Sequence, residues 1–257
     1  MRWLNLLKAN FRKEYIELKR YLPNTLALLL TFYIIFLAAF FGIMFVGDPA
    51  SFEANVQYSI ISVVFWSLTM LTMNFIGFAV IQEAMRGTLE QLYMSPMGVW
   101  KIMLTRILGQ FALQSIIMII LLFAAMLTSG QWLNLNPMTT IPIILLTMFS
   151  MVGVSFMIAG LAIIVKQIQA FLQIFQFVLM GLVFVPLSVA PFLELAPFVK
   201  GVNMVRMVMM ENLTLTQLPW TDYLSLLANS AIYMALGLIV FHQCEKIAMK
   251  KGLLGQY

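Results

Sequence analysis

The sequence predicts an all-α membrane protein: six transmembrane helices, an N-terminal amphipathic interfacial helix, and both termini cytoplasmic. Three observations lead there. Of the 257 residues 62% are apolar and only 10% charged, with a mean hydropathy of +0.96, far from the balance of a soluble chain. Apolar runs of about 20 residues, the helical length that crosses a hydrocarbon core, recur along the chain. Of the 15 Lys and Arg, all but Lys200 and Arg206 fall in alternate connections or at the two ends, the distribution that marks the cytoplasmic side.

The first 23 residues form a unit of their own. Leu4, Leu7, Phe11, Tyr15, Leu18 and Leu22 share one helical stripe, with Lys8, Arg12, Lys13 and Arg20 beside or opposite it. Such a helix rests in the membrane interface with its apolar stripe in lipid. Pro23 then breaks it and turns the chain into the membrane. No cleavable leader is expected, because the segment is charged and the run after it is long enough to remain as an anchor.

Residues 24–257 then form the membrane domain. Spans are expected over Thr25–Val46, closed by Gly47-Asp48-Pro49, and over Val56–Ile81, Ile102–Leu127, Met138–Val165, Ala170–Leu187 and Tyr223–Phe241. Barrel strands would be about ten residues long and alternate in polarity, which these runs do not. The loops at 47–55 and 129–137 carry no Lys or Arg. The net charge of +5 is therefore a topology signal with some affinity for anionic headgroups. Nucleic-acid binding needs a basic face on a folded domain, and the sequence has none.

Between the second and third expected spans lies a polar island, about residues 83–96. Thr88 followed by Gln91 is a capping box, with Gly87 supplying the turn before it. Leu89, Leu92 and Tyr93 make a short apolar face. Ser95-Pro96 ends that helix and starts the next, and Glu83, Arg86 and Glu90 surround it. A segment this polar cannot lie in lipid, so it stands on the membrane surface as a short helix.

In residues, spacing and position this island resembles the signature of the ABC-2 type permeases, the membrane subunits of ATP-driven exporters. The plan of the chain is similar to theirs as well: length, span number, amphipathic leading helix and no ATPase domain. The resemblance implies a coupling helix that docks into a cleft of a cytosolic ABC ATPase subunit. Glu83, Arg86 and Glu90 would supply polar contacts, Leu89, Leu92 and Tyr93 the docked face, and Gly87, Thr88 and Gln91 the shape. It also implies two ATPase copies that carry the ATP and Mg, a second permease subunit (identical or not), and a bacterial or archaeal cell membrane.

A weaker likeness covers about residues 188–220. Pro186, Pro191 and Pro197 interrupt an apolar stretch ahead of Asn203 and Arg206. In the family this region forms short re-entrant helices on the outer side, with an Asn-Pro pair; here Met204 follows Asn203. Non-helical backbone at membrane depth must be buried in protein or face water. With Lys200 and Glu211 nearby, Glu194, Asn203 and Arg206 are candidates for an outer gate.

The remaining signals are weaker. Gln169, Gln173 and Gln176 recur on one face of the fifth span; they line a substrate path or bond across a subunit interface, with the interface favoured. Ala38 with Gly42, and Ser155, Ala159 and Ala162, offer small faces for close helix packing. The 21 Met are packing, or in part an adaptable pocket for bulky amphipathic compounds. His242 has no ligand partners at metal spacing, Cys244 is a lone thiol, and Asn212-Leu213-Thr214 matches a glycosylation acceptor.

No catalytic, cofactor or metal site is expected on the chain. Spans nearly free of charge argue against an internal ion relay, and no phosphate loop is present, so the energy must come from a partner. The expected function is export of a lipid-like, drug, antibiotic or peptide substrate. The alternatives are a self-sufficient secondary carrier or channel, a polysaccharide-exporting ABC permease, or a membrane scaffold.

Overall fold

A computed structural model describes residues 2–85, 94, 99–165 and 168–251. Its helices are α1 (Arg2–Arg20), α2 (Leu22–Val46), α3 (Phe52–Met85), α4 (Val99–Ser129), α5 (Pro137–Ile164), α6 (Gln169–Phe184), α7 (Val199–Glu211) and α8 (Trp220–Lys250). Short 3-10 turns cover Pro49–Ser51 and Pro191–Leu195, and no strand occurs among the described residues.

Among the described residues five helices are long and apolar enough to cross a membrane: α2, α3, α4, α5 and α8. The expected fifth span, α6, is shorter than the sequence reading made it. Its 16 residues reach about 24 Å at 1.5 Å per residue, short of a core of about 30 Å. The cause is local. Pro186 disfavours helical backbone at the residue before it, and Val185 is extended, with φ −81° and ψ 121°.

Chain punctuation explains the other ends. Tyr21 makes the turn between α1 and α2, and Pro23 sits in the first turn of α2, where a missing N–H costs nothing. After α2, Asp48 accepts a bond from the Ala50 amide at 3.1 Å and caps the 3-10 turn that leads into α3. The loop after α4 is tied back by Asn134, whose amide donates to Met209 O at 3.0 Å and whose side chain bonds that of Asn212.

Helices α3 and α5 form the centre: 78% and 61% of their most apolar windows are buried, against 11% for α2. The most extensive packing is α5 on α8, followed by α3 on α5. Glycines set the α5–α8 distance. A Cβ on Gly237 would strike the backbone of Gly153, and one on Gly153 would strike the backbone of Tyr233 and Met234. Gly160 faces Phe241 in the same way, and Cys244 is buried on the same helix. The expected small residues Ser155, Ala159 and Ala162 are also buried, with Ser155 bonding Thr72 O of α3 at 2.8 Å.

Helix α1 departs from the simple amphipathic picture. Leu4, Phe11 and Tyr15 face outward, as the stripe predicts, but Asn10 and Glu14 are buried. Asn10 Nδ2 donates to Thr105 Oγ1 of α4 at 2.8 Å, and Glu14 Cγ lies nearest the open side of Gly109. A polar seam therefore seats α1 on the first turns of α4.

Candidate functional site

Two polar constellations stand at opposite ends of the bundle. At the end where α3 finishes and α4 begins, Arg106 Nη1 donates to Glu83 Oε1 at 2.8 Å, with both side chains less than a fifth exposed. This pair ties the end of α3 to the first turns of α4. Glu83, expected to offer a polar contact to the ATPase, makes this ion pair within the chain. Arg86, Gly87, Thr88, Leu89, Glu90, Gln91, Leu92 and Tyr93, expected to carry the coupling, lie outside the described residues. Met94, the residue after them, is described and exposed.

The other end is built around α7. The chain leaves α6, makes the Pro191–Leu195 turn, and enters α7 through Phe198, a buried residue with φ 63°. A bulky side chain in left-handed backbone is unfavourable and persists only where its surroundings hold it. Here the Phe198 amide donates to Ser150 Oγ of α5 at 3.2 Å. One turn on, Gly201 approaches Thr147 of α5 so closely that a Cβ would collide. The left-handed Asn212, φ 59°, ends the helix in the conformation that favours helix termination.

Two buried cations pin this helix. Lys200 Nζ lies 2.6 Å from Glu194 Oε1 and 2.8 Å from Asp222 Oδ1, joining the 3-10 turn, α7 and α8. Burial works against the charge on Lys200, and the two carboxylates beside it offset that cost. Asn229 Nδ2 of α8 donates to Leu195 O at 3.0 Å and Ala196 O at 3.2 Å. Together these contacts fasten the 3-10 turn to α8.

Arg206 works on the other side of α7. Its Nη2 donates to Ser62 Oγ of α3 at 2.7 Å and to Val183 O of α6 at 2.5 Å. Its guanidinium lies 3.8 Å from the centroid of the Tyr58 ring, within cation–π range. Val183 O is one of the last-turn carbonyls that a helix leaves without an internal partner. A cation placed there satisfies it and complements the negative end of the helix dipole. The abrupt stop of α6 and the buried arginine are one device.

The three gate candidates therefore do not converge. Glu194 serves Lys200, Arg206 serves α3 and α6, and Asn203 is half-buried on α7. The glutamine face also divides. Gln173 is exposed and Gln176 half-buried, the Gln176 carbonyl accepts from Trp66 Nε1 at 3.1 Å, and the side chain of Gln169 lies outside the described residues. Around Gln173, Phe171, Ile174 and Phe177 are exposed on α6. An apolar crevice of about 290 Å³ opens between α3, α4, α5 and α7, lined by Phe65, Phe111, Met118, Leu145 and Met209 among others.

Sequence reasoning did not find Asp222, Tyr58, Ser62, Asn10 or Glu14 as members of any site. Asp222 carried the best signal, an acid at the mouth of an apolar run. Tyr58 and Ser62 look like ordinary residues of a span.

Among curated proteins none matches the chain. A family model, ABC-2 type transporter, matches residues 5–210, which takes in the seat of α1, the island and nearly all of α7. With its membrane-crossing helices and that match over most of its length, the chain belongs to the ABC-2 type transporter family.

Proposed function

We propose that this chain is the permease subunit of an exporter, moving a lipid-like, drug, antibiotic or peptide substrate outward with ATP hydrolysed by a separate ABC ATPase. The observation that carries the reading is the family match across the island and the re-entrant segment together. Both termini and the island face the cytosol, by the bias of Lys and Arg, and α6 with the re-entrant segment completes the sixth passage. Two permeases and two ATPases make the working assembly, since six spans are too few to enclose a sizeable pathway. ATP and Mg stay on the ATPases.

Helix α3 gives this reading a mechanical route. It has 34 residues, a rod of about 51 Å at 1.5 Å per residue. The island follows one end, where Glu83 ties it to α4. Near the other end, Tyr58 and Ser62 hold Arg206. Closure of the ATPase pair would push the island, and the linked ends of α3 and α4 would move as a unit. That displacement would reach α7 and the end of α6 through Arg206, opening the outer side. The crevice lined by Phe65, Phe111, Met118 and Met209 suits apolar cargo better than ions, and Met walls adapt to varied shapes.

The test is co-purification with candidate ATPases and efflux in vesicles. Arg86→Glu should reverse a polar contact, and Gly87→Pro should distort the turn before the island helix. Each is expected to cut ATPase association at least about tenfold, the scale of a lost charge-assisted contact, and to abolish ATP-dependent efflux. Full association and efflux in both variants would refute the proposal, as would uphill transport by the chain alone.

A further inference from the structure

A polar cavity of about 310 Å³ opens at the elbow between α1 and α2, against α3 and α4. Glu14, Glu17, Tyr21, Asn24, Gln110 and Gln114 supply its polar lining, and Leu28, Leu71, Leu113 and Ile117 its apolar wall. Two of its lining residues each carry an unmatched acceptor. Glu14 Oε1 and Gln114 Oε1 are buried without a hydrogen-bond partner, on residues only 4% and 8% exposed. Buried carboxylate oxygens are ordinarily paired, because leaving one unpaired costs its desolvation.

The depth of the cavity in the bundle says what kind of ligand would reach it. Tyr21, Asn24 and Thr25 line it where α1 turns into α2. Thr25 opens the first expected span, so the mouth of the cavity lies at the boundary between acyl chains and headgroups. A second, more open trough adjoins it, sharing Glu17 and Tyr21 and lined by Lys8, Arg12, Lys13 and Arg20. Unpaired acceptors on an apolar wall beside a basic trough complement a head with a cationic donor and an anionic group a few ångströms apart.

We propose that this elbow cavity binds the headgroup of an aminophospholipid, its primary ammonium donating to Glu14 and Gln114. The phosphate lies toward the basic trough of α1, and an acyl chain runs along Leu28, Leu113 and Ile117. An ammonium offers three N–H donors, enough for both orphan acceptors. A choline head has methyl groups in their place and cannot make these bonds. The lipid would wedge the α1–α2 elbow against α4 and so fix the angle at which α1 sits on the membrane.

Burial raises the pKa of the Glu14 carboxyl, with Glu17 acting in the same direction and Lys13 and Arg106 against it. From α4 the facing charge is Arg106, itself paired to Glu83 of α3, and Tyr21 borders the cavity at the elbow. Without lipid, a carboxyl whose folded pKa exceeds its unfolded value of 4.5 stabilises the protein below that value and loses the contribution as pH rises through the folded pKa. A bound ammonium removes that loss by matching the charge.

Native mass spectrometry of the full chain in detergent, titrated with dioleoyl-phosphatidylethanolamine or dioleoyl-phosphatidylcholine, tests the assignment. The ethanolamine lipid should bind about tenfold more tightly, the worth of a charge-assisted bond. Glu14→Gln should erase the preference, Gln114→Leu should weaken it, and Glu17→Gln should leave it in place. In lipid-free detergent, Glu14→Gln should also flatten the fall in melting temperature above pH 4.5. Equal binding of the two lipids by the wild-type chain overturns the proposal. So does an unchanged preference in Glu14→Gln, which would make Glu14 structural only. Displacement by equimolar dodecylammonium, which has no phosphate, would assign the site to a cationic amphiphile and overturn the lipid assignment. The readout needs neither ATPase nor transport, so it stands or fails separately from the export reading.

Discussion

Arg206 shows how much one side chain can decide. It is 5% exposed and bonds residues 144 and 23 positions away. Truncation would leave Val183 O and Ser62 Oγ without their donor in a site that water does not readily reach. Arg206→Ala should destabilise the protein by about 2–3 kcal/mol, the range for a hydrogen bond to a charged group and an orphaned acceptor. Arg206→Lys should recover only part of this, because an ammonium lacks the planar fork that both stacks on Tyr58 and reaches two acceptors. Thermal unfolding in detergent checks both; equal melting temperatures in wild type and Arg206→Ala would contradict the pinning role. Lys200 resembles it in logic, with two carboxylates in place of neutral partners.

Among the elements, the α5–α8 seam is the most extensive and leaves no room for added atoms at its glycines. Gly153 and Gly237 put backbone against backbone, a geometry that small residues permit and that helices in lipid use for van der Waals packing. A methyl group at Gly237 has no space unless the helices separate. Gly237→Ala should therefore cost about 1–3 kcal/mol, as overpacking usually does, while Gly42→Ala on α2, where nothing lies within 4 Å, should cost little. Comparing the two melting temperatures isolates the seam from any general effect of removing glycine. Helix α6 illustrates the opposite case, an element whose length was overestimated. Hydropathy continues through Leu187, but Pro186 stops the helix, and burial of Arg206 makes the stop useful.

For the whole molecule, the proposed coupling requires that a push at one end reach the other. Helix α3 touches α2, α4, α5, α6 and α7, so movement of its island end cannot stay local. Orientation can be tested on the same scale. In a Cys244→Ser background, a cysteine replacing Asp48 should react with an impermeant maleimide added to intact cells. One replacing Lys250 should react only after permeabilisation. The reverse pattern would place the island outside, out of reach of a cytosolic ATPase.

Sequence alone determined the class, the approximate position of the long helices and the family. These rest on hydropathy runs, proline and glycine punctuation and a contiguous polar motif, all properties of neighbouring residues. The tertiary structure decided which polar groups meet. Asn10 with Thr105 and Ser62 with Arg206 lie 95 and 144 residues apart, and no local pattern announces either pair. It also decided that Glu83 is held by Arg106, that Glu14 is buried at the elbow, and that α6 ends short of a full crossing. The physical reason is that burying a polar group in a membrane protein depends on the partner that packing brings to it, and a linear pattern does not name that partner.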